Sequence, residues 1–195
     1  MGIVIGTIFM FAIYRFYDSS LSSETTQQNE VLAQSQARDA LNELTAQLRE
    51  AVSPDGGITP PVISLSPTQI EFYADMSRSP TELTPKPEEF LYQVSSGALV
   101  REISQPVGAA PPYTYTAFTS PETLINSVAN SAGAPMFSAA NDIGTALPST
   151  MSAPTTISIA LVHVNMLVNY SLGNSPQTFS LTSDVVPVNP TSANN

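Results

Sequence analysis

The side chains that could do chemistry in this sequence are few. There is one histidine, His163, and no cysteine among 195 residues. Zinc is held by about four histidine, cysteine or carboxylate ligands, and no second histidine or cysteine can join His163. His163 also lies between Val162 and Val164 in an apolar, strand-like run, where a lone histidine is usually structural or surface-exposed. The sequence therefore predicts no zinc site, no thiol nucleophile and no disulfide.

Oxygen ligands for calcium are suggested by Asp75, Ser77 and Ser79, which have an alternate spacing. A calcium-binding loop also needs a glycine at its sharp turn and a carboxylate that closes the loop at about its twelfth position. This segment has neither. We therefore predict no metal there.

Two sets of carboxylates could be acid–base pairs: the adjacent Glu88–Glu89, and Glu43 with Glu50 in a helical stretch. Such groups at a strand start or along a helix are more typical of a solvated face than of general acid–base catalysis. Arg38 and Arg49 could pair with acids of neighbouring subunits, or be paired within the chain or solvated. No G-x-S-x-G motif and no nucleophile beside a base is visible. The sequence therefore predicts a protein that is not an enzyme, with no cofactor and no small-molecule substrate.

The charge balance limits the partners. Six basic and sixteen acidic side chains give a formal net charge of −10, and only 11% of the residues are charged. Binding to nucleic acid needs lysine and arginine to neutralise phosphates, so we expect no direct nucleic-acid binding. With 42% hydrophobic residues, the chain can build one ordinary core and an appendage.

The element that must position everything else is a long helix, predicted over residues 1–52 and ended by the proline and glycines of Ser53–Gly57. Its first part, Met1–Tyr14, has no charge, and Arg15 follows it as at a membrane interface. At ~1.5 Å per residue this part covers roughly 21 Å, less than the ~30 Å of a bilayer core. A signal peptide would begin with a basic region, which is lacking, so we interpret the segment as retained in the mature protein.

The second part of the helix is amphipathic. Between Gln27 and Val52 apolar residues recur three or four positions apart, while most charged residues fall elsewhere on the helix. Such a stripe predicts that this part lies on another element. We expect the packing to be made by Val31, Leu41, Leu44 and Leu48.

After the helix the chain is predicted to form strands and loops. Residues 129–155, rich in Ala, Ser, Asn, Gly and Pro, predict a surface excursion anchored by Met136 and Phe137. Pro121–Val128 fits a strand or one or two helical turns. Strands segregated from one helix predict an α+β fold, in which the helix covers an antiparallel sheet. Alternating apolar residues bounded by turn residues predict these strands: Ile63–Leu65, Gln69–Ala74, Glu89–Val94 and Ala98–Ile103 as a hairpin, Thr156–Leu172, and Gln177–Asp184.

This pattern resembles the type IV pilins and type II secretion pseudopilins, and more narrowly the large minor pilins and J-type pseudopilins. The resemblance implies a pilin-like α+β fold in which the apolar half of the helix protrudes. Residues 1–26 would be the membrane and filament part, and residues 27–195 the globular domain. The segments that carry the resemblance are MGIVIGTIFMFAIYRFYDSS, QSQARDALNELTAQLREAV, IEFYADM, EFLYQVSSGALVREI, APMFSAANDIG, ISIALVHVNML and SLTSDVVPVN.

The resemblance also implies a function. The chain would be a structural minor subunit of a type IV pilus or type II secretion filament, with other minor subunits and the major subunit as partners. Its helix would hold it in the inner membrane, with the globular domain in the periplasm, until it enters the filament tip. The residues expected to make membrane and filament contacts are Ile3, Val4, Ile5, Ile8, Phe9, Phe11 and Ile13.

One part of the family pattern is absent. Family precursors carry a short basic leader, a glycine before the cleaved bond, and a Phe-Thr-Leu-Ile-Glu-like start that is methylated and whose glutamate serves in assembly. None of these is present here. We therefore expect the sequence to be truncated at its start, since about ten more apolar residues at ~1.5 Å each would give a bilayer-spanning length.

Two alternatives stay open. The first is a membrane-anchored envelope protein that binds a ligand or surface through residues 129–155 without polymerising. The second is an envelope hydrolase, which the lack of a nucleophile beside a base disfavours.

Overall fold

A computed structural model describes residues 2–76, 86–172 and 175–187, with the side chains of residues 2–9, 12, 18, 19, 21–27, 157 and 172 outside the description. The chain begins with the helix α1 (Gly2–Arg49) and continues as strands. The strands are β1 (Val62–Ser66), β2 (Gln69–Ala74), β3 (Glu88–Ser95), β4 (Ala98–Ser104), β5 (Pro106–Val107), β6 (Thr114–Tyr115), β7 (Glu122–Asn126), β8 (Phe137–Ala140), β9 (Met151–Ser152), β10 (Leu161–Leu172) and β11 (Ser175–Val185).

The larger sheet has the strand order β7-β4-β3-β2-β1-β9, and each of its pairs is antiparallel. Strands β1 to β4 follow one another as a meander, which is the arrangement that short connections favour. Between β3 and β4 the turn residues Ser96 and Gly97 both have positive φ, 51° and 76°. This is the backbone of a two-residue hairpin turn with the twist of the strands, and it confirms the predicted hairpin.

The smaller sheet has the order β11-β10-β8. Its β10–β11 hairpin pairs Leu172 with Ser175 at one end and Val162 with Val185 at the other. The predicted strand Thr156–Leu172 is wrong at its start, because residues Thr155–Ser158 form a 3-10 helix instead. There the Ser158 hydroxyl donates to the backbone carbonyl of Thr155 at 2.9 Å, and such local bonds compete with a sheet ladder.

Residues 129–155 differ most from the prediction. Strand β8 adds to β10 in the smaller sheet, and β9 adds to β1 in the larger one. Met136, Phe137 and Ala139 are all buried in the core. The segment is therefore part of both sheets and not only a surface excursion with one anchor. Pro121–Val128, for which two conformations were considered, contains strand β7.

The core lies between α1 and the two sheets. Phe72 of β2 stacks on Phe90 and Tyr92 of β3, with ring centroids 5.7 and 6.1 Å apart. Helix α1 contacts β2 and β7 of the larger sheet and β10 and β11 of the smaller one. The chain therefore has the α+β fold with antiparallel sheets that the strand pattern predicts.

Within the part of the chain that the structure describes, no helix has a stretch both long and apolar enough to cross a membrane.

Candidate functional site

Helix α1 has two parts that differ in what covers their side chains. From Ala37 onward one face of the helix is buried on the sheets, and both Leu44 and Leu48 are 0% exposed. Nearer its start, six large apolar side chains are 57–79% exposed: Met10, Phe11, Ile13, Tyr14, Phe16 and Tyr17. A packed part and an uncovered part on one helix make α1 the candidate functional site.

The packed part is a single stripe. Leu41, Leu44 and Leu48 belong to the core cluster, together with Ala37 and Ala40. Their spacing of three or four residues keeps them on one face of the helix. Full burial of a leucine side chain is worth about 1.5–3 kcal/mol, so this stripe holds the helix firmly on the sheets.

Val31 does not belong to this stripe. We predicted it to pack on the sheet, but its side chain is 67% exposed. The reason is rotational: at about 100° per residue, Val31 lies roughly 120° around the helix from Ala37. The prediction for Val31 is therefore wrong.

A polar cluster supplements the apolar stripe. Arg101 points inward from β4, with its side chain only 13% exposed, and pairs with Glu43 of α1 and Glu122 of β7. The hydroxyl of Tyr92 donates to Gln47 of α1 at 2.7 Å. We call Glu43, Gln47, Tyr92, Arg101 and Glu122 the clamp, because it joins the helix to three strands.

The surroundings of the clamp favour a charged Arg101 and a neutral Tyr92. Burial opposes the charge on Arg101, but Glu122 and Glu43 outweigh it and raise the pKa of the guanidinium. Burial is also the main reason that the pKa of the Tyr92 hydroxyl is raised far above its usual range, with the Glu43 carboxylate adding to it. The clamp thus places a neutral tyrosine beside an ionised arginine.

The clamp was not found from the sequence. In the sequence, Glu43 stands out only as a possible partner of Glu50, whose side chain is exposed in the structure. A usable signal was present in β4, where Leu99, Arg101 and Ile103 alternate toward the core. A charged residue at an inward position of a strand must find a partner, because an unpaired buried charge is costly.

The uncovered part of α1 contains two of the predicted contact residues, Phe11 and Ile13, whose side chains are exposed. Arg15 lies over the ring of Phe11, with its guanidinium carbon 5.3 Å from the ring centroid. The other predicted contact residues, Ile3, Val4, Ile5, Ile8 and Phe9, have side chains outside the described part of the structure.

The other residues singled out in the sequence do not come together in one site within the described part of the chain. Among the described residues, no group of three or more His, Asp or Glu side chains could hold a metal ion. Asp75 is buried, whereas Ser77 and Ser79 lie outside the described residues. Arg38 and Arg49 are exposed on α1.

His163 lies in a row of three side chains that cross the smaller sheet. Its Nδ1 is 2.6 Å from the Asp184 carboxylate of β11, and Ser138 of β8 is its partner on the other side. The serine and the histidine make no hydrogen bond to each other in this structure, and a hydrolytic nucleophile needs that contact with its base.

Comparison with solved structures identifies the fold. The chain is similar to a type IV-like pilin from Thermus thermophilus, with a TM-score of 0.52, over 78% of this chain and 95% of that one. The sequence identity is 11%, so the likeness concerns the fold alone. No protein-family model and no curated protein matches the sequence. With its helix seated on antiparallel sheets, the chain has the fold of a type IV-like pilin.

Proposed function

We propose that this chain is a non-enzymatic structural subunit of a pilin-type filament, and that it assembles through the uncovered part of α1. The observation that carries the proposal is the exposure of Met10, Phe11, Ile13, Tyr14, Phe16 and Tyr17. The likeness to a type IV-like pilin supports it.

The distribution of these six side chains around the helix suggests the kind of partner. At about 100° per residue they point in nearly all directions, with only Arg15 breaking the apolar surface. A helix that is apolar all round is normally buried on all sides. One docked protein would cover one face only. A lipid bilayer, or a bundle of the helices of other subunits, covers every face, and a pilin-type subunit passes from the first to the second.

More narrowly, we propose a minor subunit of a type IV pilus or type II secretion filament, either a large minor pilin or a J-type pseudopilin. The long helix would protrude with residues 1–26 as the filament part, and residues 27–195 would form the outward-facing domain. Its partners would be the other minor subunits and the major subunit. Before assembly the helix would lie in the inner membrane with the domain in the periplasm. Support for this comes from the sequence resemblance described above.

The test places a charge in the uncovered part of α1. In the source organism, the epitope-tagged full-length gene product would carry Phe16→Glu, and a matched control would carry Gln36→Glu at an exposed polar position of the same helix. Filaments sheared from the cells would be probed by immunoblotting and immunogold electron microscopy. We expect the unmodified protein and Gln36→Glu in the filament fraction, and Phe16→Glu absent from it.

Three outcomes would contradict the proposal. One is Phe16→Glu entering filaments as well as the unmodified protein does. Another is the unmodified protein remaining in the membrane fraction of cells that make filaments, which would favour the anchored, non-polymerising alternative. The third is equal loss of both variants, because a polar exposed position should tolerate the charge.

A further inference from the structure

The larger sheet carries a small lobe, residues 105–119, at one end of the face turned away from α1. The lobe contains β5 and β6, which pair with each other. At its ends, Thr119 and Ile103 exchange hydrogen bonds of 2.9 and 3.1 Å, and the Gln105 amide donates to Glu88 at 2.6 Å. Further contacts hold the middle of the lobe to the sheet. The Ser104 hydroxyl donates to the Thr116 carbonyl at 2.6 Å, the Tyr115 ring lies 5.0 Å from the Tyr73 ring, and the Tyr115 hydroxyl donates to the Pro87 carbonyl at 3.2 Å.

Beside the lobe, two carboxyl groups meet on the same face of the sheet. Glu89 of β3 is the register partner of Tyr73, and Glu71 lies two residues before Tyr73 on β2. Glu71 is the register partner of Leu91, two residues after Glu89, so the two carboxyl groups lie diagonally across β2 and β3 on one face. Glu71 also accepts from the Ser64 hydroxyl at 2.9 Å. Two carboxyl groups can share a hydrogen bond only while one of them carries a proton, since two carboxylates repel.

Ser104 connects this pair to the lobe. It is the register partner of Glu89 on β4 and is 0% exposed, and side chains of such directly opposite partners are close enough to interact. A serine hydroxyl has one hydrogen to donate. In this structure the Thr116 carbonyl of the lobe receives it. An ionised Glu89 competes for the same hydrogen, and a charge-assisted bond is roughly twice as strong as a neutral one.

The environment of Glu89 sets the pH at which this competition begins. Burial and the neighbouring Glu71 raise its pKa to about 7, while Ser104 opposes that rise. The same groups, with burial as the main cause, raise the pKa of Tyr73 to about 12 and that of Tyr115 above its usual range. The titratable groups around Glu89 are Glu71 and Tyr73 of β2, Glu102 of β4 and Tyr115 of β6, and the two tyrosines are also influenced by Asp55 and Tyr113 in loops.

We propose that Glu89 is a proton-controlled latch for the lobe. While Glu89 is protonated it donates to Glu71, and the Ser104 hydroxyl holds Thr116. When Glu89 ionises, it takes the Ser104 hydrogen and repels Glu71, and the Thr116 carbonyl loses its donor. The middle of the lobe then opens away from Tyr73, while its ends stay bonded to Ile103 and Glu88. The latch is independent of the proposed filament role, because all its parts lie in residues 64–119.

The test is hydrogen exchange of the lobe amides in the full chain in detergent, at pH 5.5 and pH 8.5, corrected for the intrinsic rates. The amides of the β10–β11 hairpin serve as the internal reference. We expect the protection of residues 105–119 to fall about tenfold or more at the higher pH, since the ionised fraction of a group titrating near neutrality rises by that order. The reference amides should change little.

Three variants make the result specific. Glu89→Gln cannot ionise, so its lobe should stay protected at both pH values. Ser104→Ala lacks the shared hydrogen, so its lobe should be less protected at both. Glu102→Gln changes a carboxylate on the same face that accepts instead from Gln93, and it should behave as the unmodified protein does. The latch is wrong if the unmodified lobe is equally protected at both pH values, or if Glu89→Gln loses protection as the unmodified protein does.

Discussion

The hydroxyl of Tyr92 reaches from β3 to the side chain of Gln47 on α1 and donates a hydrogen bond of 2.7 Å. Both residues are buried, Tyr92 completely. The two lie 45 positions apart in the sequence, so the bond fixes how the helix is seated on the larger sheet. A buried donor and acceptor of this kind are costly to separate, because neither can turn to water.

Removing the Tyr92 hydroxyl should therefore destabilise the domain. In Tyr92→Phe the Gln47 oxygen loses its donor while the ring keeps its packing, and we expect the free energy of unfolding to fall by about 1–3 kcal/mol. Urea unfolding of the full chain in detergent, followed by circular dichroism, measures this. Tyr170→Phe is the control, because its ring contacts Phe179 and its hydroxyl is not part of the clamp; there a change within about 0.5 kcal/mol is expected. Equal effects of the two variants would show that the Tyr92–Gln47 bond contributes nothing.

Arg101 should matter more than either of its acids alone. Arg101→Met keeps much of the buried stem but breaks the pairs with Glu43 and Glu122, and we expect a loss of about 2 kcal/mol. Glu122 is largely exposed, so Glu122→Gln should cost less than about 1 kcal/mol. The same unfolding measurement ranks the variants. A larger effect of Glu122→Gln than of Arg101→Met would contradict this view of the clamp.

The boundary of the packed stripe can be tested with two aliphatic truncations on one helix. Leu44→Ala removes a fully buried side chain and should cost about 2–5 kcal/mol. Val31→Ala removes an exposed one and should change stability by less than about 0.5 kcal/mol. Thermal or urea unfolding distinguishes these values easily. A cost at Val31 close to that at Leu44 would restore the sequence prediction that both residues pack on the sheet.

The raised pKa of Glu89 predicts a pH dependence of overall stability. Its usual value of 4.5 rises to about 7 in the fold, so between these values the native state holds a proton that the unfolded chain has released. The contribution of Glu89 is therefore complete below about pH 4.5 and is lost as the pH rises through about 7. We expect the free energy of unfolding of the unmodified protein, minus that of Glu89→Gln, to fall across this window. A difference that stays flat or rises would contradict the assignment.

Much of the fold follows from local patterns. The stripe of α1 and the β3–β4 hairpin were predictable because each depends on residues within one element or one turn, and the periods of 3.6 and 2 are visible there. The exposure of Val31 also follows from the sequence, since its position on the helical wheel already separates it from Leu44.

Other features could not be predicted because they depend on contacts between distant residues. Strands β8 and β9 are short and rich in Ala and Ser, a composition that matches loops as well as strands. Their pairing partners come from β10 and β1, and only the assembled core selects them. The clamp likewise joins residues from 43 to 122, and Glu71 comes to lie diagonally opposite Glu89 only once β2 and β3 are in register.

The segment that contributes both β8 and β9 has a mechanical consequence. Strand β8 is hydrogen-bonded into the smaller sheet and β9 into the larger one, while α1 rests on both. Tension applied along α1 would thus act on two sheets that are joined by hydrogen bonds to one shared segment, so we expect neither sheet to separate before the other. We expect the domain to resist pulling as one body, and to give way in a single rupture event when stretched between its helix and its last strand.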